Sequence, residues 1–137
     1  MQDPAPPHFS RVRATILFVE DNVQIHSLLR RSMEQAQLEV LCATSATEAT
    51  LLAAGHPGPI HLLISDLRLP DGSGAEIAKQ VKQLHPRAEV MFISGYGSGE
   101  VRAQGIDPAL IFLLPKPFSV SDFQTQVETI LAPVLAR

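Results

Sequence analysis

The sequence predicts a doubly wound α/β domain in which a five-stranded parallel sheet is covered by five helices. Short apolar runs recur along the chain, and they have the composition of strands that are buried on both faces. Most of these runs are followed by segments whose apolar residues repeat at the helical spacing. With 137 residues, the chain fits one domain that hides roughly two-thirds of its surface on folding.

The first β-α unit shows this pattern most clearly. Residues 16–19 form a continuous apolar run that predicts a buried strand. Asn22 is placed to cap the helix that follows, because its side-chain oxygen can accept a hydrogen bond from a free backbone N–H group. The residues that give this helix its period are Ile25, Leu28, Leu29, Ser32, Met33 and Ala36.

The second unit and the third strand follow the same alternation. A strand is predicted near Glu39–Ala43, and a helix is predicted near residues 46–54, where Gly55 and Pro57 end it. The next apolar run covers residues 60–65 and predicts a third strand.

The second half of the chain supplies two more strands, at residues 90–93 and 111–114. Residues 70–72 (Pro-Asp-Gly) predict a turn, because proline presets φ and glycine tolerates a positive φ. The helix after the turn ends before Pro86, and the last helix follows the fifth strand. The helix predicted over residues 97–105 is the least favourable, since each of its three glycines costs up to ~1 kcal/mol relative to alanine. The apolar faces of the other two helices contain Ile77, Val81 and Leu84, and Val120, Phe123, Val127, Ile130 and Leu131.

The ends of the chain lack these patterns. Three of the first seven residues are prolines and no apolar period is present there, so residues 1–13 are expected to form a flexible leader. We expect one folded domain over residues 14–132 and a short C-terminal tail over residues 133–137, with no effector domain after the last helix.

Composition excludes several functional classes. A net charge of −3 provides no basic surface for a phosphate backbone, so direct nucleic-acid binding is not expected. The single cysteine, Cys42, cannot form an internal disulfide. There is no signal-peptide pattern and no apolar run near ~18 residues. We therefore expect a cytoplasmic protein without membrane insertion.

Polar side chains follow four of the predicted strands. Glu20 and Asp21 follow the first strand, Asp66 the third, Ser94 the fourth and Lys116 the fifth. Because the carboxyl ends of parallel strands meet at one edge of the sheet, we expect these side chains to share a pocket. Carboxylates there suit Mg2+, and a carboxylate can act as the nucleophile that forms an aspartyl phosphate when cations offset the developing charge. The hydroxyl of Ser94 can donate to a phosphate oxygen.

Each of these residues has a simpler interpretation when it is taken alone. Asp21 or Asn22 can be a helix cap, Asp66 a turn former and Lys116 a solvated residue before a turn proline. Their joint placement favours the shared pocket. The histidines show no metal-ligand spacing, and His61 is expected to be a core histidine with a hydrogen-bond partner.

At these positions the chain resembles the receiver domain of two-component response regulators, over roughly residues 14–131. The resemblance rests on Glu20-Asp21-Asn22, on residues 66–74, on Ser94-Gly95 and on Lys116-Pro117-Phe118. It implies a flavodoxin-like sheet with strand order 2-1-3-4-5. The chain is similar to a stand-alone single-domain response regulator, and the alternative is a receiver module excised from a hybrid histidine kinase.

The resemblance also implies a role for each residue of the site. Asp66 accepts a phosphoryl group from a phosphohistidine on a histidine kinase or a histidine phosphotransfer protein. Glu20, Asp21 and Asp66 hold Mg2+ together with the backbone carbonyl of Arg68, and Lys116 contacts the phosphoryl group. Phosphorylation then changes contacts with a downstream protein target. The only chemistry expected is self-phosphorylation from phosphodonors and slow autodephosphorylation.

Further residues are expected to form the switch and the rim of the pocket, namely Ser94, Gly95, Tyr96, Arg68, Leu113 and Pro117. In the family the Lys-Pro bond is commonly cis, which at a proline costs only ~0.5–1 kcal/mol. Many receivers have an aromatic residue three positions before the lysine, whereas this chain has Leu113 there. The sequence therefore leaves open how activation is transmitted, with Phe112 and Tyr96 as neighbouring aromatic candidates.

Two other functional classes fit the sequence less well. Residues 94–99 contain three glycines after a strand, but a dinucleotide-binding turn requires the Gly-x-Gly-x-x-Gly spacing in the first β-α unit. A haloacid-dehalogenase-like phosphatase also forms an aspartyl phosphate. Such an enzyme needs an aspartate as general acid two residues after the nucleophile, where this chain has Arg68. The sequence therefore favours a signalling protein over an enzyme.

Overall fold

The computed structural model describes residues 12–136. Its strands, in chain order, are β1 (Thr15–Val19), β2 (Glu39–Ala43), β3 (Leu62–Asp66), β4 (Arg68–Leu69), β5 (Gly72–Ser73), β6 (Glu89–Ser94) and β7 (Phe112–Pro115). Five of them form a parallel sheet in the order β2-β1-β3-β6-β7, while β4 and β5 form a small antiparallel hairpin. Counted without the hairpin, this is the predicted order 2-1-3-4-5, so the predicted fold class is confirmed.

Within residues 12–136, five α-helices accompany the sheet: α1 (Val23–Gln35), α2 (Ala46–Gly55), α3 (Gly74–Leu84), α4 (Ser98–Ala103) and α5 (Val120–Leu135). The predicted cap is present, because the side chain of Asn22 accepts a hydrogen bond from the backbone N–H of Ile25 at 3.1 Å. The short α4 lies inside the glycine-containing segment where the sequence favoured a helix least. None of the helices among residues 12–136 is long and apolar enough to cross a membrane.

Strands β1 and β3 are buried along their whole length, which explains their continuous apolar sequences. Alternate side chains of each strand point to opposite faces of the sheet. Leu17 and Leu63 pack with α2, α3 and α4, whereas Phe18 and Ile64 pack with α1 and α5. The fold therefore has three layers, and the strand ends are left free to carry polar groups.

The predicted domain boundaries differ slightly from the observed elements. Helix α5 continues through Pro133 to Leu135, three residues beyond the predicted boundary at residue 132. The predicted leader falls mostly outside the described residues. Arg13 is already anchored, since its backbone N–H donates to the carbonyl of Gln37 at 3.0 Å and its guanidinium donates to Glu128 at 2.9 Å.

The half-buried His61 has the role expected for a core histidine. Its Nδ1 accepts a hydrogen bond of 2.9 Å from the backbone N–H of Thr15, the first residue of β1. The ring therefore satisfies a backbone donor at the amino end of the sheet, on the side opposite the carboxyl ends of the strands.

Candidate functional site

Three carboxylates meet at the carboxyl end of the sheet, and we refer to them as the acidic cluster. Glu20 and Asp21 follow β1, and Asp66 is the last residue of β3. The two strands are neighbours, with Val19 opposite Ser65. One carboxylate oxygen from each acid lies within 4.8 Å of the others. Glu20 and Asp66 are buried, with exposed fractions of 2% and 5%, whereas Asp21 is exposed and leaves the cluster accessible from solvent.

The buried carboxylates have incomplete hydrogen bonding. Oε2 of Glu20 accepts a hydrogen bond from the backbone N–H of Asn22 at 3.0 Å. Oε1 of Glu20 and Oδ1 of Asp66 are buried without a hydrogen-bond partner. Because both are acceptors, they cannot bond to each other unless one carboxyl carries a proton. Buried acceptors of this kind are costly unless a cation or a donor satisfies them.

Burial also changes the acidity of the cluster. Burial, and then the neighbouring carboxyl group of Asp66, raises the pKa of Glu20 to about 7. Burial raises the pKa of Asp66 as well. Both shifts reflect mainly the free energy needed to keep a negatively charged carboxylate away from water. A hard divalent cation with oxygen ligands would remove that penalty, so the donor set fits Mg2+.

Lys116 approaches the acidic cluster from the end of β7. Its Nζ lies 3.5 Å from Oδ1 of Asp66, which is an ion-pair distance rather than a short hydrogen bond. Its backbone N–H donates to the carbonyl of Ser94 at 3.0 Å, which ties the ends of β6 and β7 together. The Lys116–Pro117 peptide bond is cis, as the family resemblance implied. The lysine thus places a positive charge beside the carboxylate of Asp66.

Ser94 is buried at the end of β6. Its Oγ accepts a hydrogen bond of 3.0 Å from the backbone N–H of Tyr96, which makes a tight local turn over the exposed Gly95. Accepting this bond leaves the hydroxyl proton of Ser94 able to donate. The turn therefore connects the hydroxyl directly to the position of Tyr96.

Arg68 and Tyr96 both lie on the surface near the site and contact each other. The guanidinium carbon of Arg68 lies 4.4 Å from the centroid of the Tyr96 ring. Nε and Nη2 of the same arginine donate to the carboxylate of Glu100 at 3.1 and 2.9 Å. Gln104 donates to Glu100 at 3.1 Å and to the carbonyl of Leu67 at 3.3 Å. We call the four side chains Arg68, Tyr96, Glu100 and Gln104 the rim network.

Sequence reasoning missed Glu100 because its partner lies 32 residues earlier. Gly74 was seen only as part of a motif. A Cβ atom at Gly74 would lie inside the contact distance of the Asp66 carbonyl oxygen, so only glycine lets α3 begin beside Asp66. The sequence predicts only a turn at Asp71, yet the Asp71 carboxylate accepts hydrogen bonds from the backbone N–H groups of Ala46 and Thr47 at 2.8 and 3.0 Å.

Leu113 is half-buried and packs on the face of the sheet that carries α2, α3 and α4. The neighbouring Phe112 is 36% exposed, and Tyr96 is 66% exposed and engaged with Arg68. Of the aromatic candidates, Tyr96 therefore has a contact that connects it to the loop after Asp66.

Receiver domains have this strand order together with an acidic cluster at the carboxyl end of the sheet. The response regulator receiver domain family matches residues 16–128, and the chain belongs to that family.

The chain is similar to parts of longer regulatory proteins. It is 32% identical over 119 residues to response regulator protein PilR of Pseudomonas aeruginosa, in a match that covers 87% of this chain and 26% of PilR. It is 36% identical over 108 residues to the hydrogenase transcriptional regulatory protein HoxA of Bradyrhizobium diazoefficiens, covering 78% of this chain and 22% of HoxA. The chain thus spans about a quarter of the length of these two relatives.

A solved receiver structure agrees with the fold. The crystal structure of the receiver domain from the hybrid histidine kinase CckA has a TM-score of 0.72 and 34% sequence identity, and the match covers 86% of this chain and 99% of that domain.

Proposed function

We propose that this chain is the phosphoacceptor of a two-component phosphorelay, and that Asp66 takes a phosphoryl group from a phosphohistidine of a histidine kinase or a histidine phosphotransfer protein. The observation that carries the proposal is the position of the Asp66 carboxylate, which lies within 4.8 Å of two further acids and 3.5 Å from the ammonium group of Lys116. A nucleophilic carboxylate, a cation site and a fixed lysine are the groups that phosphoryl transfer to an aspartate requires.

The transfer forms one bond and breaks one bond. A carboxylate oxygen of Asp66 bonds to phosphorus while the bond between phosphorus and the donor imidazole nitrogen breaks, and the electron pair returns to that nitrogen. Glu20, Asp21 and Asp66 would hold Mg2+, with the carbonyl of Arg68 as a further oxygen ligand. Bound Mg2+ would supply positive charge for the phosphoryl oxygens. Lys116 would neutralise the oxygens on the opposite side.

Ser94 would report the phosphorylated state. When a phosphoryl oxygen arrives, the Ser94 hydroxyl can donate to it, and this reorients the turn that ends at Tyr96. Tyr96 contacts Arg68, and Arg68 binds Glu100 on α4. Through these contacts, phosphorylation of Asp66 would alter the surface that a downstream protein would contact.

The phosphodonor would dock on a groove between α1 and the connection from β7 to α5, which we call the α1 groove. Its volume is ≈ 490 Å³. The half-buried Ile25 lines it together with Leu28, which is 55% exposed, and Lys116 reaches into its wall. An apolar surface next to the catalytic lysine suits a helical donor that must bring its histidine to Asp66.

Enzymatic turnover of phosphate esters is the less favoured alternative. A phosphatase that uses an aspartyl phosphate needs a proton donor two residues after the nucleophile. Arg68 occupies that position and is bound to Glu100. The chain should therefore accept one phosphoryl group and lose it slowly.

A phosphotransfer screen tests the proposal. The chain would be incubated in Mg2+ with the radiolabelled histidine kinases and phosphotransfer proteins of its host, and separately with acetyl phosphate. We expect acid-stable, base-labile label on this chain from at least one protein donor. Sustained release of phosphate from a small phosphomonoester, at more than one turnover per chain, would favour the phosphatase instead.

A further inference from the structure

A second apolar groove lies on the other side of the molecule from the α1 groove. It runs between α3 and the segment that connects α4 to β7, and we call it the α3 groove. Its volume is ≈ 340 Å³. The apolar side chains that line it are Ala78, Val90, Ile106, Leu110 and Ile111. None of these residues belongs to the acidic cluster or the rim network, so the groove is separate from the proposed phosphorylation site.

The floor and the edge of the α3 groove differ in exposure. Ala78 and Val90 are buried and form its base, and Ile106 and Ile111 are half-buried against the same core. Leu110 is 75% exposed and stands at the edge, in the short 3-10 turn Pro108–Leu110. A single exposed leucine is ordinary, but one that extends an apolar groove enlarges a surface that a partner can cover.

The charge of the α3 groove is opposite to that of the whole chain. The chain has 14 acidic and 11 basic residues, yet the groove is lined by Lys79 and Lys82 and by no acid. Lys82 is held at the end of α3, where its Nζ donates to the carbonyls of Pro86 and Ala88 at 3.0 and 2.8 Å. The exposed Lys79 lies one residue after the buried Ala78. Both lysines therefore line the groove beside its apolar floor.

The nearest acid in the connecting segment has a structural role. The carboxylate of Asp107 accepts a hydrogen bond of 2.9 Å from the backbone N–H of Ala109 and so caps the 3-10 turn that carries Leu110. Asp107 is exposed but does not line the groove. Lys79 and Lys82 are therefore the charged residues that line the groove, and a ligand of opposite charge would complement them.

We propose that the α3 groove docks a segment of a partner protein that is amphipathic and acidic. Apolar side chains of the segment would cover Leu110 and fill the floor, while its Asp or Glu residues would face Lys79 and Lys82. A helix that presents apolar residues at positions i, i+3 and i+4, with acidic residues beside them, has the required arrangement. Charge complementarity of this kind selects partners and speeds their association.

Peptide selection on the intact chain tests this proposal. A display library of random peptides of about 16 residues, or roughly four helical turns, would be selected on the wild-type protein. We expect the selected peptides to be enriched in Leu, Ile, Asp and Glu. Leu110→Ser and Lys79→Glu should each weaken their binding by about tenfold. The matched control is Leu51→Ser, because Leu51 is 69% exposed on α2 and lies outside the groove, and it should change the affinity by less than about twofold.

Several results would overturn the proposal. They are the recovery of no binder, the recovery of basic peptides, and binding that all three variants retain equally. Self-association of the wild type that Leu110→Ser abolishes would assign the groove to a second copy of the chain. Thermal unfolding of each variant shows whether it is folded, so that a loss of peptide binding is not mistaken for misfolding. Labelling with acetyl phosphate, measured in parallel, reports on the proposed phosphorylation alone, so failure of one proposal is distinguishable from failure of the other.

Discussion

Arg68 and Glu100 form a two-point ion pair, with 2.9 Å between Nη2 of the arginine and Oε1 of the glutamate. The pair joins the start of β4, two residues after the proposed acceptor, to the first turn of α4. Hydrogen bonds to Arg68, and then to Gln104, lower the pKa of Glu100. Exposed ion pairs contribute little to stability, so the importance of this one lies in where it holds the guanidinium.

The first prediction concerns the lifetime of the aspartyl phosphate. Arg68→Asn and Tyr96→Glu should each speed the loss of phosphate by about two- to fivefold, because smaller or acidic groups admit and orient water. Glu100→Gln should have a similar but weaker effect, since it releases Arg68 from its place over the Tyr96 ring. Loss of label from purified phosphoprotein in Mg2+ measures the rates. Arg102→Asn, on the exposed surface of α4, is the control, and equal rates in all variants would contradict the prediction.

The second prediction concerns the acceptor itself. Asp66→Asn should reduce labelling by acetyl phosphate more than about a hundredfold, because the amide cannot act as the nucleophile. Intact-protein mass spectrometry in Mg2+ measures the labelling. Asp71→Asn is a matched control five residues further along, and it should keep the label. Undiminished labelling of the Asp66 variant would place the acceptor elsewhere.

The third prediction concerns the metal. Removal of Mg2+ with EDTA should stop labelling, and Asp21→Ala should slow it roughly tenfold or more, because negative charge near Asp66 would no longer be offset by a well-held cation. The initial rate of labelling by acetyl phosphate, followed as a function of Mg2+ concentration, tests this. Glu34→Ala changes an exposed acid at the far end of α1 and should leave the rate unchanged. If Asp21→Ala is labelled at the wild-type rate, Asp21 does not contribute to metal binding.

The fourth prediction concerns phosphodonor docking. Leu28→Asp should slow transfer from the cognate donor by about tenfold, because it puts a charge into the α1 groove, while labelling by acetyl phosphate stays normal. Ile25→Asp should act in the same direction, but Ile25 is half-buried and its variant needs a folding check by circular dichroism. Leu51→Asp on α2 is the control. Equal transfer rates for Leu28→Asp and Leu51→Asp would exclude the α1 groove as the docking surface.

The fifth prediction concerns pH and stability. Hydrogen bonds from the backbone N–H groups of Thr47 and Ala46, and then from the Thr47 hydroxyl, lower the pKa of Asp71 from its ordinary value of 3.8 to about 2. A carboxyl whose pKa is depressed by folding stabilises the fold above its unfolded pKa, and this contribution is lost as the pH falls towards about 2. Asp71→Asn should therefore lower Tm at neutral pH. The difference in Tm from the wild type should shrink below pH ~3, and a constant difference would contradict this explanation.

Local sequence patterns predicted most of the fold. The apolar runs identified β1 and β3 because both faces of these strands are buried. Asn22 was recognised as a cap because the signal is contained within four residues. Boundaries were less exact: the fifth strand was predicted over residues 111–114 and is found at Phe112–Pro115. The cause is that local propensity changes gradually while pairing with β6 decides where a strand ends.

Residue types and strand ends also predicted which groups would form the acidic cluster, but their spacing depended on tertiary structure. Glu20 and Asp66 come together because β1 pairs with β3 in a particular register. The contact between Arg68 and Glu100, and the two backbone bonds that Asp71 makes to α2, join segments more than 20 residues apart. No local pattern encodes such contacts, since they arise only when sheet order and helix packing bring distant segments together. The sequence by itself therefore determined the fold class and the residue types of the cluster, and the tertiary structure decided which surface residues connect that cluster to the rest of the molecule.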